Sequence, residues 1–210
     1  VESAAELERL NQVAGELGLR APVALRVNPD VDAGTHPYIS TGLKENKFGI
    51  PAEDAPALYR RAASLPGLRV HGIACHIGSQ LTDLAPLREA AGRIAALREA
   101  LLAEGIAIDH VDLGGGLGIA YHDETIPSAA DYAAAISAPF AGSRVEISIE
   151  PGRSIVGPAG VLLTRVEYLK PGAQRNFAIV DAAMNDLLRP ALYDAHHAVL
   201  PLREAGGETK

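Results

Sequence analysis

Tryptophan is absent from the 210-residue chain, and aromatic residues make up only 4% of it. A core with so few rings must come from small and branched aliphatics, which suits a helix-rich scaffold. The single cysteine, Cys75, excludes an intramolecular disulfide framework and a cysteine-based zinc site. It also fits a reducing, cytoplasmic compartment as the default. Basic charge is not in excess. The formal net charge is −7, which gives nucleic acid no electrostatic footing. No run approaches the ~18 apolar residues of a membrane-spanning helix, and no signal-peptide pattern opens the chain. At 48% hydrophobic residues, disorder is excluded as the main state. The chain begins with Val1 and its only methionine is Met184. The expectation is therefore a segment of a longer protein.

What is present is an alternation. Ser3 and Glu6 form a capping box ahead of Leu7, Leu10, Val13, Ala14 and Leu17 at helical spacing, and Gly18 stops that helix. Strands are predicted at residues 23–27, 68–77, 108–113 and 145–150. Helices are predicted from Pro51 to near Pro66, over 84–104 and over 129–138. Residues 28–46 form a long polar loop, and such loops inside compact domains are usually functional. Strands alternating with helices give a parallel sheet. After Pro151 the rhythm changes to strands at 161–169 and 177–181, with Pro171 and Gly172 at the turn. We expect a boundary between 1–157 and 158–210, the latter being the incomplete start of a mainly β domain.

Each predicted strand of the first part ends in an unusual signature. These are Arg26-Val27-Asn28-Pro29, His76-Ile77-Gly78-Ser79-Gln80, Asp112-Leu113-Gly114-Gly115-Gly116-Leu117-Gly118 and Glu150-Pro151-Gly152-Arg153. Ligands of parallel α/β folds bind outside the carboxyl ends of the strands. Four such ends in succession argue for one shared site, and a barrel predicts that convergence better than an open sheet. The glycine run lets backbone N–H groups approach an anion, although a tight strand-to-helix connection also favours glycine. It is not a dinucleotide fingerprint, because Ile119 stands where the last glycine should be. Ser79 and Arg153 can bind the same anion, against ordinary lives as a turn residue and a surface ion pair. Glu150 can hold a protonated ring nitrogen, and His76 can stack on a planar ligand or shuttle a proton. His196 and His197 are adjacent and face different ways, and no metal-binding spacing occurs. No metal site is expected.

Together the signatures resemble the alanine-racemase-like, fold-type III pyridoxal-phosphate decarboxylases. Thr35-His36, Lys47-Phe48-Gly49, Asp181-Ala182-Ala183-Met184-Asn185-Asp186 and Arg189-Pro190-Ala191-Leu192-Tyr193 extend the match over nearly the whole chain. The resemblance implies the second half of a (β/α)8 barrel followed by the start of a mainly β domain. It implies that His76 stacks on pyridoxal 5'-phosphate and that Ser79, Gly114, Gly115 and Gly116 hold the phosphate, helped by Gly152 and Arg153. Glu150 would pair with the pyridine nitrogen. Arg153, Arg189 and Tyr193 would bind substrate carboxylates. An acidic partner keeps the ring an electron sink, which favours decarboxylation over racemisation. Arg189 and Tyr193 fit a substrate with a carboxylate at its far end. The implied reaction is decarboxylation of meso-2,6-diaminopimelate to L-lysine by a homodimer with a shared active site.

The family's Schiff-base lysine, in an aromatic-x-x-Lys setting, has no counterpart among Lys44, Lys47, Lys170 and Lys210. The family's downstream cysteine-glutamate segment is also missing. These 210 residues alone are therefore expected not to turn over. Decarboxylases for arginine, ornithine or carboxynorspermidine, a non-catalytic pyridoxal-phosphate carrier and a sugar-phosphate barrel enzyme are the competing readings.

Overall fold

The computed structural model describes residues 1–32 and 47–203. Thr35, His36, Lys44 and Lys210 lie outside the described residues. The chain divides into two compact units, Val1–Ile119 with Thr125–Pro158, and Ala120–Glu124 with Ala159–Lys210.

The first unit is α/β with a parallel sheet. Helix α1 (Ala4–Glu16) starts at Ser3, whose hydroxyl accepts from the Glu6 N–H at 3.1 Å. The Glu6 carboxylate reaches back to the N–H of Glu2 at 2.6 Å, one residue earlier than a standard capping box. Strand β1 (Ala21–Asn28) follows, then β2 (Ile50–Pro51), α2 (Ala55–Ser64) and β3 (Leu68–Ala74). Next come α3 (Ala85–Ala103), β4 (His110–Asp112), α4 (Ala129–Ser137), β5 (Glu146–Ser148) and α5 (Gly152–Val156). The strand order is β2-β1-β3-β4-β5, and every pairing is parallel. Pro51 is a correction: it ends β2 rather than opening a helix, and Pro56 takes the first-turn position of α2. Pairing of Val27 with Ile50 draws residues 50–51 into the sheet.

One apolar cluster fills the space between the sheet and its helices. Leu25, Val27, Ile73 and Val111 from the strands meet Tyr59, Leu87, Ile94, Leu101 and Ile136 from the helices, all buried. Burying each such side chain is worth about 1.5–3 kcal/mol. Tyr59 enters this core because its hydroxyl donates to the Gly72 carbonyl at 2.8 Å, so no polar group is stranded. Cys75 is buried, and burial together with the Asp112 charge pushes its thiol up to about 12. A cysteine so placed is a packing residue.

The outer edge of β1 is engaged beyond β2. The Arg26 N–H donates to the Val1 carbonyl and the Val1 nitrogen to the Ala24 carbonyl, both at 2.9 Å. Glu2 pairs with Arg26 at 2.8 Å and accepts from the Gly49 N–H at 3.0 Å.

The second unit holds an antiparallel pair, β6 (Val166–Lys170) with β7 (Phe177–Val180), and a short helix α6 (Arg189–Tyr193). The strand expected from residue 161 starts only at Val166, because β7 offers partners no further than that. Asp181 is tied back by the Thr164 hydroxyl and the Arg165 N–H, each at 2.8 Å. No described helix is long and apolar enough to cross a membrane.

Candidate active site

The parallel register sets the strand ends side by side. Arg26 pairs with Ala74, Ala74 with Asp112, and Asp112 with Ser148. Just beyond that row, Arg26, Ala74, Cys75, His76, Asp112 and Glu150 line a cleft of about 140 Å³. His76 and Glu150 therefore share one cavity at the carboxyl ends of the strands. Arg26 and Asp112 stand beside them. Both begin signatures noted in the sequence, yet neither was singled out there.

His76 is half-buried, and its Nδ1 accepts from the Gly115 N–H at 3.2 Å. A ring nitrogen that accepts carries no proton, so Nε2 carries it in the neutral imidazole. Burial lowers the His76 pKa, the Arg26 charge lowers it further, and Asp112 opposes both. A neutral ring at a strand end suits stacking on a planar heterocycle.

The glycine run is explained first by backbone packing. A Cβ on Gly115 would fall on the carbonyl of Glu150, and one on Gly116 would lie 2.6 Å from the Gly78 carbonyl oxygen. Gly114 and Gly116 also adopt positive φ, 68° and 119°. Within the protein, the Gly114 N–H donates to Asp112 Oδ1 at 2.8 Å and the Gly115 N–H is taken by His76. The loops after β3, β4 and β5 are thus in backbone contact.

Ser79 lies half-buried on the turn after β3, and Gly152 is exposed at the start of α5. The guanidinium of Arg153 donates from Nη1 to Gln80 Oε1 at 3.1 Å. Sequence reasoning missed Gln80, which sits inside the His76 to Gln80 signature. Below the cleft, His110 Nε2 lies 2.8 Å from Ser148 Oγ, and the His71 and His110 rings stack with centroids 5.4 Å apart.

In the second unit, Arg189 and Tyr193 lie together. The Arg189 guanidinium is 5.4 Å from the Tyr193 ring centroid and 5.5 Å from that of Tyr121. Tyr121 was not expected at this place. The Arg189 Nε is buried without a hydrogen-bond partner. The adjacent histidines do face different neighbours, His196 packing on His122 and His197 edge-on to Tyr121. Among the described residues no group of three or more His, Cys, Asp or Glu could hold a metal ion.

The donor set fits pyridoxal phosphate. A neutral imidazole and a carboxylate share the cleft, and Arg153 is held by Gln80 on the loop that follows His76. Residues 1–157 match the family described as "Pyridoxal-dependent decarboxylase, pyridoxal binding domain". The chain is 58% identical to a diaminopimelate decarboxylase of Vibrio cholerae, over 100% of this chain and 51% of that protein. It is 61% identical to the diaminopimelate decarboxylase of Pseudomonas aeruginosa, over 97% of this chain and 49% of that one. A crystal structure of diaminopimelate decarboxylase from Helicobacter pylori complexed with L-lysine superposes with a TM-score of 0.94 at 44% identity. That superposition covers 98% of this chain and 52% of the other. The chain thus spans about half the length of the curated relatives it matches. Family match, sequence likeness and strand-end geometry agree, and the chain belongs to the pyridoxal-dependent decarboxylases.

Proposed function

We propose that the protein containing this chain decarboxylates meso-2,6-diaminopimelate to L-lysine and carbon dioxide, using pyridoxal 5'-phosphate. The observation that carries this reading is the shared cleft of His76 and Glu150 in a chain 58–61% identical to diaminopimelate decarboxylases. The L-lysine bound in the Helicobacter pylori relative is the product of the same chemistry. In this reading residues 1–157 are part of a (β/α)8 barrel and residues 158–210 begin a mainly β domain. The active enzyme is a homodimer with a shared site.

Each proposed role follows from a side chain's chemistry. His76 lays its neutral ring against the cofactor. Ser79, Gly114, Gly115, Gly116, Gly152 and Arg153 surround the phosphate. Glu150 keeps the pyridine nitrogen protonated by charge pairing. Held there by these residues, pyridoxal phosphate would supply the electron sink that loss of carbon dioxide requires. Arg153, Arg189 and Tyr193 take the substrate carboxylates. Guanidinium groups suit that task because they meet a carboxylate with two parallel N–H donors. The β6–β7 pair speaks against a barrel-only carrier protein.

The test is product formation by the full-length, cofactor-loaded protein. L-lysine should accumulate from meso-2,6-diaminopimelate, with no comparable turnover of arginine, ornithine or carboxynorspermidine. Faster turnover of any of these overturns the substrate assignment.

A further inference from the structure

Gln80 carries a backbone that a side chain rarely adopts, with φ of +61°. Such a conformation persists only where its surroundings over-determine it. Here the side chain supplies that determination. Nε2 donates to the Ile119 carbonyl at 2.6 Å, and Oε1 accepts from the Ile119 N–H at 3.2 Å. Oε1 also accepts from Arg153 Nη1 at 3.1 Å. Since Ile119 takes both ends of the amide, the amide cannot be flipped without losing both bonds. Its oxygen is thereby aimed at Arg153. A Cβ on Gly118 would stand 3.2 Å from the Gln80 amide, so glycine there leaves the amide its room.

The partners belong to three different strand ends. Gln80 follows β3, Ile119 follows β4, and Arg153 lies in α5 after β5. The choice of a neutral acceptor matters. An amide oxygen orients a guanidinium and leaves its full charge in place. A carboxylate would orient it and cancel the charge. Among the described residues Arg153 makes this one side-chain hydrogen bond, so its other N–H groups remain for an anion.

We propose that Gln80 is a positioning residue that holds the charged guanidinium of Arg153 for an anionic group of the ligand. This rests on the decarboxylase reading, which gives Arg153 an anion to bind. The test uses the full-length, cofactor-loaded enzyme with Q80A, Q80E, R153K and the Q80A/R153K pair. Q80A should raise KM for meso-2,6-diaminopimelate by about tenfold with kcat within about threefold, a loss expected for one charge-assisted hydrogen bond. In the R153K background Q80A should add less than about twofold, since residues acting through one contact are not additive. Q80E keeps the acceptor for the Ile119 N–H and Arg153 but loses the donor to the Ile119 carbonyl, so thermal melts of each variant check for a folding defect. It should also raise KM, because it neutralises Arg153. Cofactor affinity, read by absorbance titration of the apoenzyme, gives a measure independent of turnover.

Additive effects in the double variant, an unchanged KM in Q80A, or a wild-type KM in Q80E would overturn the assignment. A wild-type enzyme that neither binds the cofactor nor forms L-lysine would instead overturn the decarboxylase reading, and this inference with it.

Discussion

The backbone N–H of Gly115 donates to Nδ1 of His76 at 3.2 Å, joining the loop after β4 to the side chain that begins the signature after β3. Protonation of Nδ1 would turn that acceptor into a donor facing another donor. Burial and the Arg26 charge hold the His76 pKa below its ordinary 6.5. The unfolded chain therefore binds this proton more readily than the folded one. The resulting stability is present above pH 6.5 and is lost as pH falls through the folded pKa. Histidine-resolved NMR titration should give a midpoint for His76 below 6.5.

Gly115→Ala should destabilise the protein by about 2–3 kcal/mol, because its Cβ meets the Glu150 carbonyl. Chemical denaturation reads the loss directly. A variant with wild-type stability would mean that the two loops part easily.

Glu150→Gln should lower kcat by on the order of 10²-fold, the usual scale for removing one electrostatic contact to the reacting group. Cofactor affinity should fall much less. Equal losses in kcat and affinity would make Glu150 a general binding residue.

Tyr121→Leu removes one of two rings on the Arg189 guanidinium. A cation–π contact is worth about 1 kcal/mol, which is about fivefold in KM. Tyr121→Phe keeps the ring face and should retain the wild-type KM. Steady-state kinetics of the pair separates the ring from its hydroxyl.

Glu2 is partly buried, and burial works against its charge. The Gly49 N–H and Arg26 outweigh that and hold its carboxyl below the ordinary value of 4.5. Its contribution is present above pH 4.5 and is lost as pH falls through the folded pKa. Glu2→Gln should flatten the acid limb of a stability–pH profile.

Much of this was legible because it is local. The Ser3 cap, the alternation of strands and helices, and the polar strand ends are written in neighbouring residues. What escaped was decided by distant partners. Pro51 and Pro56 both suit the first turn of a helix, and only the pairing of Ile50 with Val27 selects between them. Residues 161–165 have the β-branched composition of a strand but lie beyond the span that β7 pairs. Gln80 closes the His76 to Gln80 signature, but its role was hidden because its partners stand 39 and 73 residues away. The glycine run was read as an anion cradle, and its contacts with the Cys75, Gly78 and Glu150 carbonyls supply a second reason for it.

Those contacts have a mechanical side. Where main chain touches main chain there is no rotamer to turn and no methyl group to yield, so displacement of one loop is transmitted to the next. The three strand ends should therefore open to solvent together. In amide hydrogen exchange, Cys75, Gly114 and Glu150 would report one shared opening event, and a ligand held by any one loop would slow exchange in all three.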